Sequence, residues 1–373
     1  MFQGFFKHYV YPVATLAGSI VGVGFLSLPY ITVQVGLWPM LFYFVFLTAL
    51  VVFIHVVFGK VCIATPDFKR WPGFVGFYFG EQAKKIISVF MISGSFGVLL
   101  VYLIVGSQFL TSVFSPMFGG GQLAYLAIYF TVASLLIFFG VKIISKFEFW
   151  ALVLLVASLA AIFIEGFSRL NLGNIFIPFN GRFANAFLPY GAILFSLWGT
   201  GLIPETEEMV TGRKGSLKKI IISAIVIPAA IYLAFIFLII GISGNQASES
   251  ALIGLKDFLS GPIISIALFI GVITTFTAFI AQGLLLKKIF MYDMKFPEPL
   301  AWLATCFVPL ILFFIGLNSF IGLISFIGGV LLSIEGILIL LMYRKIGGKK
   351  LVVYPLALFF ILGIIYSIVY FFK

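Results

Sequence analysis

Gly18, Ser19, Gly22 and Gly24 crowd the middle of residues 9–35, YVYPVATLAGSIVGVGFLSLPYITVQV, a stretch without a charged side chain. About 20 apolar residues cross a bilayer, so the stretch is long enough to span one. Its centre is nevertheless a poor helix. Glycine inside a helix costs roughly 0.5–1 kcal/mol relative to alanine, and proline, here Pro29, removes a backbone donor. A span that breaks at mid-membrane frees carbonyls and N–H groups, which can hold a ligand where they line a cavity. Gly18-x-x-x-Gly22 also fits close packing of two helices, so both uses stand open. A second stretch, AFLPYGAILFSLWGTGLIPETEEM at 186–209, carries the same defect at Gly199, Thr200 and Gly201, followed by Pro204.

Two carboxylates add acid–base chemistry. Acids within a membrane are costly and mark functional sites by default. Glu335 lies inside an apolar stretch, nine residues and about 13 Å of helix before Arg344. It could carry a proton or pair with a donor inside the bundle. Glu205, Glu207 and Glu208 follow Pro204 in a helix first turn, where acids complement the dipole. Glu205 stands nearest the break and could titrate; Glu207 and Glu208 read as facing water or the basic residues at 213–219.

The elements that must position these residues are membrane helices. The chain is 62% hydrophobic and 9% charged, with a mean hydropathy of +1.23; soluble domains carry roughly 25% charged residues. Eleven spans are expected, at 9–33, 38–59, 86–114, 123–141, 147–165, 187–211, 220–241, 262–286, 299–317, 320–343 and 351–372. With the N-terminus in the cytoplasm, all basic residues of the 23 except Arg169, Arg182, Lys256 and Lys373 fall on the inside, as the positive-inside rule requires. The net charge of +11 therefore reports cytoplasmic loops and not a nucleic-acid partner. The aromatic-rich loop 60–85 reads as an interfacial or re-entrant segment, and the polar loop 166–186 as a cap over an outer vestibule. Cys62 and Cys306 lie in or beside separate apolar segments, which indicates neither a disulfide framework nor a metal cluster, and His8 and His55 stand alone and read as structural. No H-E-x-x-H, cysteine cluster or G-x-S-x-G elbow supports an enzyme, and nothing marks a channel filter.

The two broken spans are the first and the sixth, five apart. Because five is odd, the second copy enters from the opposite side, giving inverted repeats at 9–165 and 187–343 with an extra helix at 351–372. Interrupted spans at corresponding positions of two halves point to a transporter binding site.

GSIVGVGFLSLPY, followed by Gln34-x-Gly36 and Trp38-Pro39, resembles the first two spans of the amino acid/auxin permease family. FSLWGTGLIPETEEM with the basic residues after it is similar to that family's sixth span. The resemblance covers spans one to ten, with specific motifs in spans one and six. It implies the all-α LeuT-type fold of five plus five inverted spans, commonly with an eleventh, and transport of amino acids coupled to sodium or protons. It also implies that the amides of Val23 and Gly24 receive a substrate carboxylate, which the partial positive charge of a helix N-terminus favours. Carbonyls around Trp198, Gly199 and Thr200 would accept the substrate amine, with Phe195 and Trp198 as an aromatic lid; packing is the alternative for Trp198. Tyr102 is among the side chains expected to set substrate size.

For sodium, the resemblance implies a site built from the hydroxyls of Thr274 and Thr275 and the carbonyls of Gly271, Gly18 and Val21, oxygens suited to a hard cation. A membrane threonine can instead bond back to its own helix. For a proton, Glu335 and Glu205 are the candidates. The reading is a transporter of neutral amino acids in the cytoplasmic or plasma membrane, with no cofactor beyond the coupling ion. A same-fold transporter of another solute or ion and a non-transporting sensor are the alternatives. A metal carrier would be expected to place Asp and Asn in the first break and Met in the sixth, where Gly18, Ser19, Gly199 and Thr200 stand.

Overall fold

In the computed structural model, which describes residues 6–67, 69–140, 144–178, 187–210, 214–259 and 261–371, the expected breaks are breaks. A π-helical turn, Phe6–Val10, leads into α1 (Tyr11–Ile20), which stops at Ile20. Residues 21–23 are not helical; a 3-10 turn, Gly24–Ser27, then leads into α2 (Leu28–Val35). Pro29 sits in the first turn of α2, where its missing N–H has no helical acceptor to lose. The arms His8–Ile20 and Gly24–Val35 meet at 51°. The second break repeats the plan. Here α8 (Leu188–Leu197) ends, Trp198 and Gly199 are extended or irregular, a 3-10 turn covers Thr200–Leu202, and α9 (Ile203–Met209) starts on Pro204.

Between and after these lie α3 (Leu37–Ala64), α4 (Trp71–Phe79), α5 (Glu81–Phe118), α6 (Gln122–Phe139) and α7 (Ile144–Phe167). They are followed by α10 (Leu217–Ser243), α11 (Gly261–Lys288), α12 (Glu298–Phe314), α13 (Phe320–Phe326), α14 (Leu332–Lys345) and α15 (Lys350–Phe371). Among the described residues seven helical runs are long and apolar enough to cross a membrane, and the bent α1–α2 pair makes an eighth. The expected spans at 147–165, 187–211 and 299–317 carry α7, the α8–α9 pair and α12. The expected span at 320–343 is not one regular helix: a π-helical turn, Ile327–Leu331, joins α13 to α14.

The chain divides into two compact units. The first comprises Met1–Met91, Pro178–Ala234 and Ile324–Lys373. In it α8 packs on α3 and on the π turn, while α14 touches both α3 and α15. The π turn and α8 meet backbone to backbone. A Cβ on Gly328 would lie 1.8 Å from the Gly191 carbonyl oxygen, and one on Gly191 2.2 Å from that of Ser325, so only glycine fits. Tyr190 and Ser333 close this layer with a hydroxyl–hydroxyl hydrogen bond of 2.7 Å. The loop expected at 60–85 contains α4, whose Trp71 and Phe74 turn inward onto Phe58 at 5.1 and 5.3 Å, while Phe77 stays exposed.

The second unit comprises Ile92–Ile177 and Phe235–Leu323. Here α11 runs along α7 and packs on α6 and α12, burying Leu99, Leu103, Tyr129 and Phe279. Lys287, 4% exposed, donates to the Ile137 and Phe138 carbonyls at the end of α6 and to Glu298 Oε1 at 2.8 Å. An ammonium can be buried when it is paired and bonded in this way. In the loop after α7, Arg169 donates to the Phe258 carbonyl and the Asn171 amide to that of Gly241. The rest of the expected vestibule cap, 179–186, lies outside the described residues.

Candidate functional site

The two breaks meet inside the first unit. A Cβ on Gly199 would stand 2.5 Å from Ile20 Cγ1 and 3.5 Å from Ser19 Oγ, and one on Gly24 would stand 2.7 Å from Phe195 Cδ1 and 2.8 Å from Ser196 Oγ. Glycine at 24 and at 199 is therefore what lets the two interruptions touch. Gly24 has a packing role whether or not its amide binds a ligand.

Each break exposes backbone chemistry. Among the described residues, the amides of Gly22, Val23 and Gly24 have no backbone acceptor, and the carbonyls of Gly18 and Ser19 have no backbone donor. Likewise the carbonyls of Leu194 to Leu197, the end of α8, receive no backbone N–H. Free amides before a helix carry partial positive charge and free carbonyls at a helix end partial negative charge. A small solute with an anionic and a cationic end is the chemical complement of such a pair.

Side chains from other helices tie down part of this backbone. The Ile20 carbonyl accepts from the Tyr232 hydroxyl at 3.3 Å, and the Tyr232 ring stacks on Phe25 at 4.8 Å. The Gly199 amide donates to His55 Nε2 at 2.9 Å, and His55 Nδ1 lies 2.8 Å from the Val51 carbonyl. Because Nε2 faces a donor, it holds the lone pair; the proton is on Nδ1 and goes to Val51. The Thr200 hydroxyl, 1% exposed, donates to Glu335 Oε1. This identifies the donor that pairs with Glu335. The indole N–H of Trp198 also faces that carboxyl but has no hydrogen bond of normal geometry.

The remaining expected residues distribute as follows. Ser19 is exposed and donates to the Leu16 carbonyl at 2.8 Å; Val21 and Gly22 are half-buried and Val23 is buried. Phe195 is half-buried beside Gly24. Trp198 is buried in the unit's interior, its ring edge-on to His55 at 5.2 Å and to Phe360 at 6.5 Å. Glu205 is half-buried and its Oε2 has no hydrogen-bond partner among the described residues. Tyr102, Gly271, Thr274 and Thr275 belong to the second unit, whereas Gly18 and Val21 belong to the first. Tyr102 packs against the second unit's core, and Gly271 abuts the Phe109 ring. The Thr274 hydroxyl donates to the Ile270 carbonyl and that of Thr275 to Gly271, both at 2.9 Å. These are bonds to their own helix.

Two contributors escape a sequence reading, His55 and Tyr232. His55 has one local signal, a polar ring within the apolar run Ala49–Phe58 of α3; its partner lies 144 residues away. Tyr232 has no local signal, because a tyrosine in a long apolar helix is ordinary.

No protein-family model matches the sequence, and no curated protein matches it. Solved structures do. The chain is similar to MhsT in complex with L-phenylalanine, at 15% identity over 97% of each chain with a TM-score of 0.64. It is similar to Mhp1, a nucleobase-cation-symport-1 family transporter, closed with bromovinylhydantoin bound, at 14% identity over 98% of this chain and 92% of that one, TM-score 0.64. A manganese transporter from Eremococcus coleocola also matches, at 13% identity over 99% and 87%, TM-score 0.64. Likeness at this identity speaks for the fold alone: the chain has the LeuT-type fold, with its broken helices in place.

Proposed function

We propose that this protein is a secondary active transporter of neutral amino acids that works by alternating access about the two breaks. The observation that carries the proposal is the meeting of two matched interruptions, one offering bare amides at Gly22–Gly24, the other bare carbonyls at Leu194–Leu197. A zwitterion's carboxylate suits the first and its ammonium the second. The LeuT-type fold supports transport, and the resemblance of spans one and six to the amino acid/auxin permeases supports an amino acid as cargo. Among the described residues, the charged side chains near the breaks are the acids Glu335 and the group Glu205, Glu207 and Glu208, and neither break itself holds a lysine or arginine, which favours a neutral cargo.

The coupling ion in this reading is a proton carried by Glu335. Its carboxyl is bonded to Thr200 in the second break, so its ionisation is felt where cargo binds. The hydroxyls of Thr274 and Thr275 donate within their own helix and keep their oxygen lone pairs, so a sodium site there is the alternative that the gradient test decides. The protein would lie in the cytoplasmic or plasma membrane with its N-terminus inside, by the distribution of basic residues.

The test is uptake of a mixture of the twenty labelled amino acids into proteoliposomes under an inward proton gradient or an inward sodium gradient. Proton-driven accumulation is expected. Sodium-driven accumulation would move the coupling site to Thr274 and Thr275. Binding without uptake would make the protein a sensor, and neither binding nor uptake would remove amino acids as cargo.

A further inference from the structure

His55 reads as an isolated structural histidine from the sequence, yet its Nε2 takes the one amide that decides whether α8 continues. In a helix the N–H of residue 199 would bond to the carbonyl of Phe195, four residues back. Trp198 instead has φ −81° and ψ 129°, extended values, and this ψ turns the following peptide out of the helical direction. The Gly199 amide then points at His55 Nε2, 2.9 Å away, and leaves the end of α8 unbonded. His55 is fully buried and Gly199 is buried, so no water competes for that amide. The ring itself is fixed by Val51 on one side and by the Trp198 indole edge-on at 5.2 Å.

A peptide is planar, and in a trans peptide the C=O and the N–H point in opposite directions. No cis bond occurs among the described residues, so the Trp198–Gly199 peptide is trans. Holding its N–H on α3 therefore aims its C=O, the carbonyl of Trp198, away from α3. One hydrogen bond thus does two things: it stops Gly199 from closing the Phe195 carbonyl, and it orients the Trp198 carbonyl.

We propose that His55 is a positioning residue for recognition of the cargo's ammonium group, acting through the Trp198–Gly199 peptide without touching the cargo. This rests on the reading above, in which carbonyls of the second break accept that ammonium. Without an acceptor on α3 the Gly199 amide would turn back to Phe195, α8 would lengthen, and two carbonyls would be lost to the cargo. The carboxylate end of the cargo, held at the first break, would be affected much less.

The test compares binding of two ligands to purified full-length protein: the tightest-binding of the twenty amino acids, and the same molecule without its amino group. In His55→Leu the preference for the amino acid should fall by about tenfold to a hundredfold, the scale of one hydrogen bond to a charged group. His55→Gln, which keeps an acceptor, should retain the preference to within about threefold. Should His55→Leu not give a monodisperse protein, His55→Met, of similar volume and with only a weak acceptor, takes its place with the same expectation. An equal loss for both ligands would make His55 merely structural and overturn the inference while leaving the proposed cargo intact. An unchanged preference would overturn it as well. If the wild-type protein binds none of the twenty, the cargo reading fails and takes this inference with it.

Discussion

Glu335→Gln separates coupling from architecture, because the Thr200 hydroxyl donates to a carboxyl oxygen that the amide retains. Glutamine still offers an acceptor, so the change should cost less than about 1 kcal/mol of stability. Glu335→Ala instead leaves a buried hydroxyl without an acceptor and should cost about 1–3 kcal/mol. What glutamine cannot do is bind and release a proton. With one proton moved per solute, each unit of pH gradient is worth 1.36 kcal/mol and supports about tenfold accumulation. The wild-type protein in proteoliposomes under a one-unit inward gradient should therefore accumulate labelled amino acid to about tenfold, and Glu335→Gln to about onefold. Exchange of internal against external amino acid needs no net proton movement and should survive within about threefold. Accumulation by the variant at the wild-type level would refute proton carriage by Glu335. Loss of exchange together with accumulation would also count against proton carriage, because exchange moves no net proton.

Thr275→Val removes a hydroxyl that donates within α11; under a proton gradient uptake should stay within about twofold, and a collapse of uptake would show that the hydroxyl does more than bond to its own helix. Gly328→Ala places a methyl 1.8 Å from a backbone oxygen, so the π turn and α8 must part. Overpacking of this kind costs about 1–3 kcal/mol or more, and a thermal melt in detergent should show it as a clear drop. Lys287→Met keeps the buried stem but removes the ammonium from the Phe138 carbonyl and from Glu298, while the Ile137 carbonyl keeps the Gly140 amide as donor. The expected loss is about 1–3 kcal/mol, read by the same melt; an unchanged curve would mean that the ammonium does not tie α6 to α11.

The breaks were legible because their cause is local. Gly18, Gly22 and Gly24, then Pro29, and Gly199, Thr200 and Gly201, then Pro204, disfavour helix by their own covalent structure. Helix limits were legible for a similar reason: the expected 38–59 and 262–286 lie inside α3 and α11, since the apolar run sets the extent of a span. Partnerships were not legible. Glu335 announced itself as an acid in an apolar stretch, but its donor Thr200 is 135 residues away, and only folding brings them together. Trp198 had two readings in the sequence; its ring faces His55 and Phe360, contacts that depend on three helices at once. The π turn at Ile327–Leu331 was missed because two glycines in an apolar run, Gly328 and Gly329, do not announce a wider coil.

The backbone contact between Gly191 and Gly328 has a mechanical consequence. Side chains that interdigitate can slide or change rotamer when two helices shift, but two backbones in direct contact have nothing to rearrange. Within the first unit, then, α8 and the π turn form one leaf of a hinge, riveted where Gly191 and Gly328 touch. The joint is the pair Trp198–Gly199, and the other leaf is the short α9, which starts four residues later and packs on α3 and α1. A change of angle between α8 and α9 that leaves the rivet intact passes through the residues between them, where side chains grip the chain at two successive points, His55 at the Gly199 amide and Glu335 at the Thr200 hydroxyl.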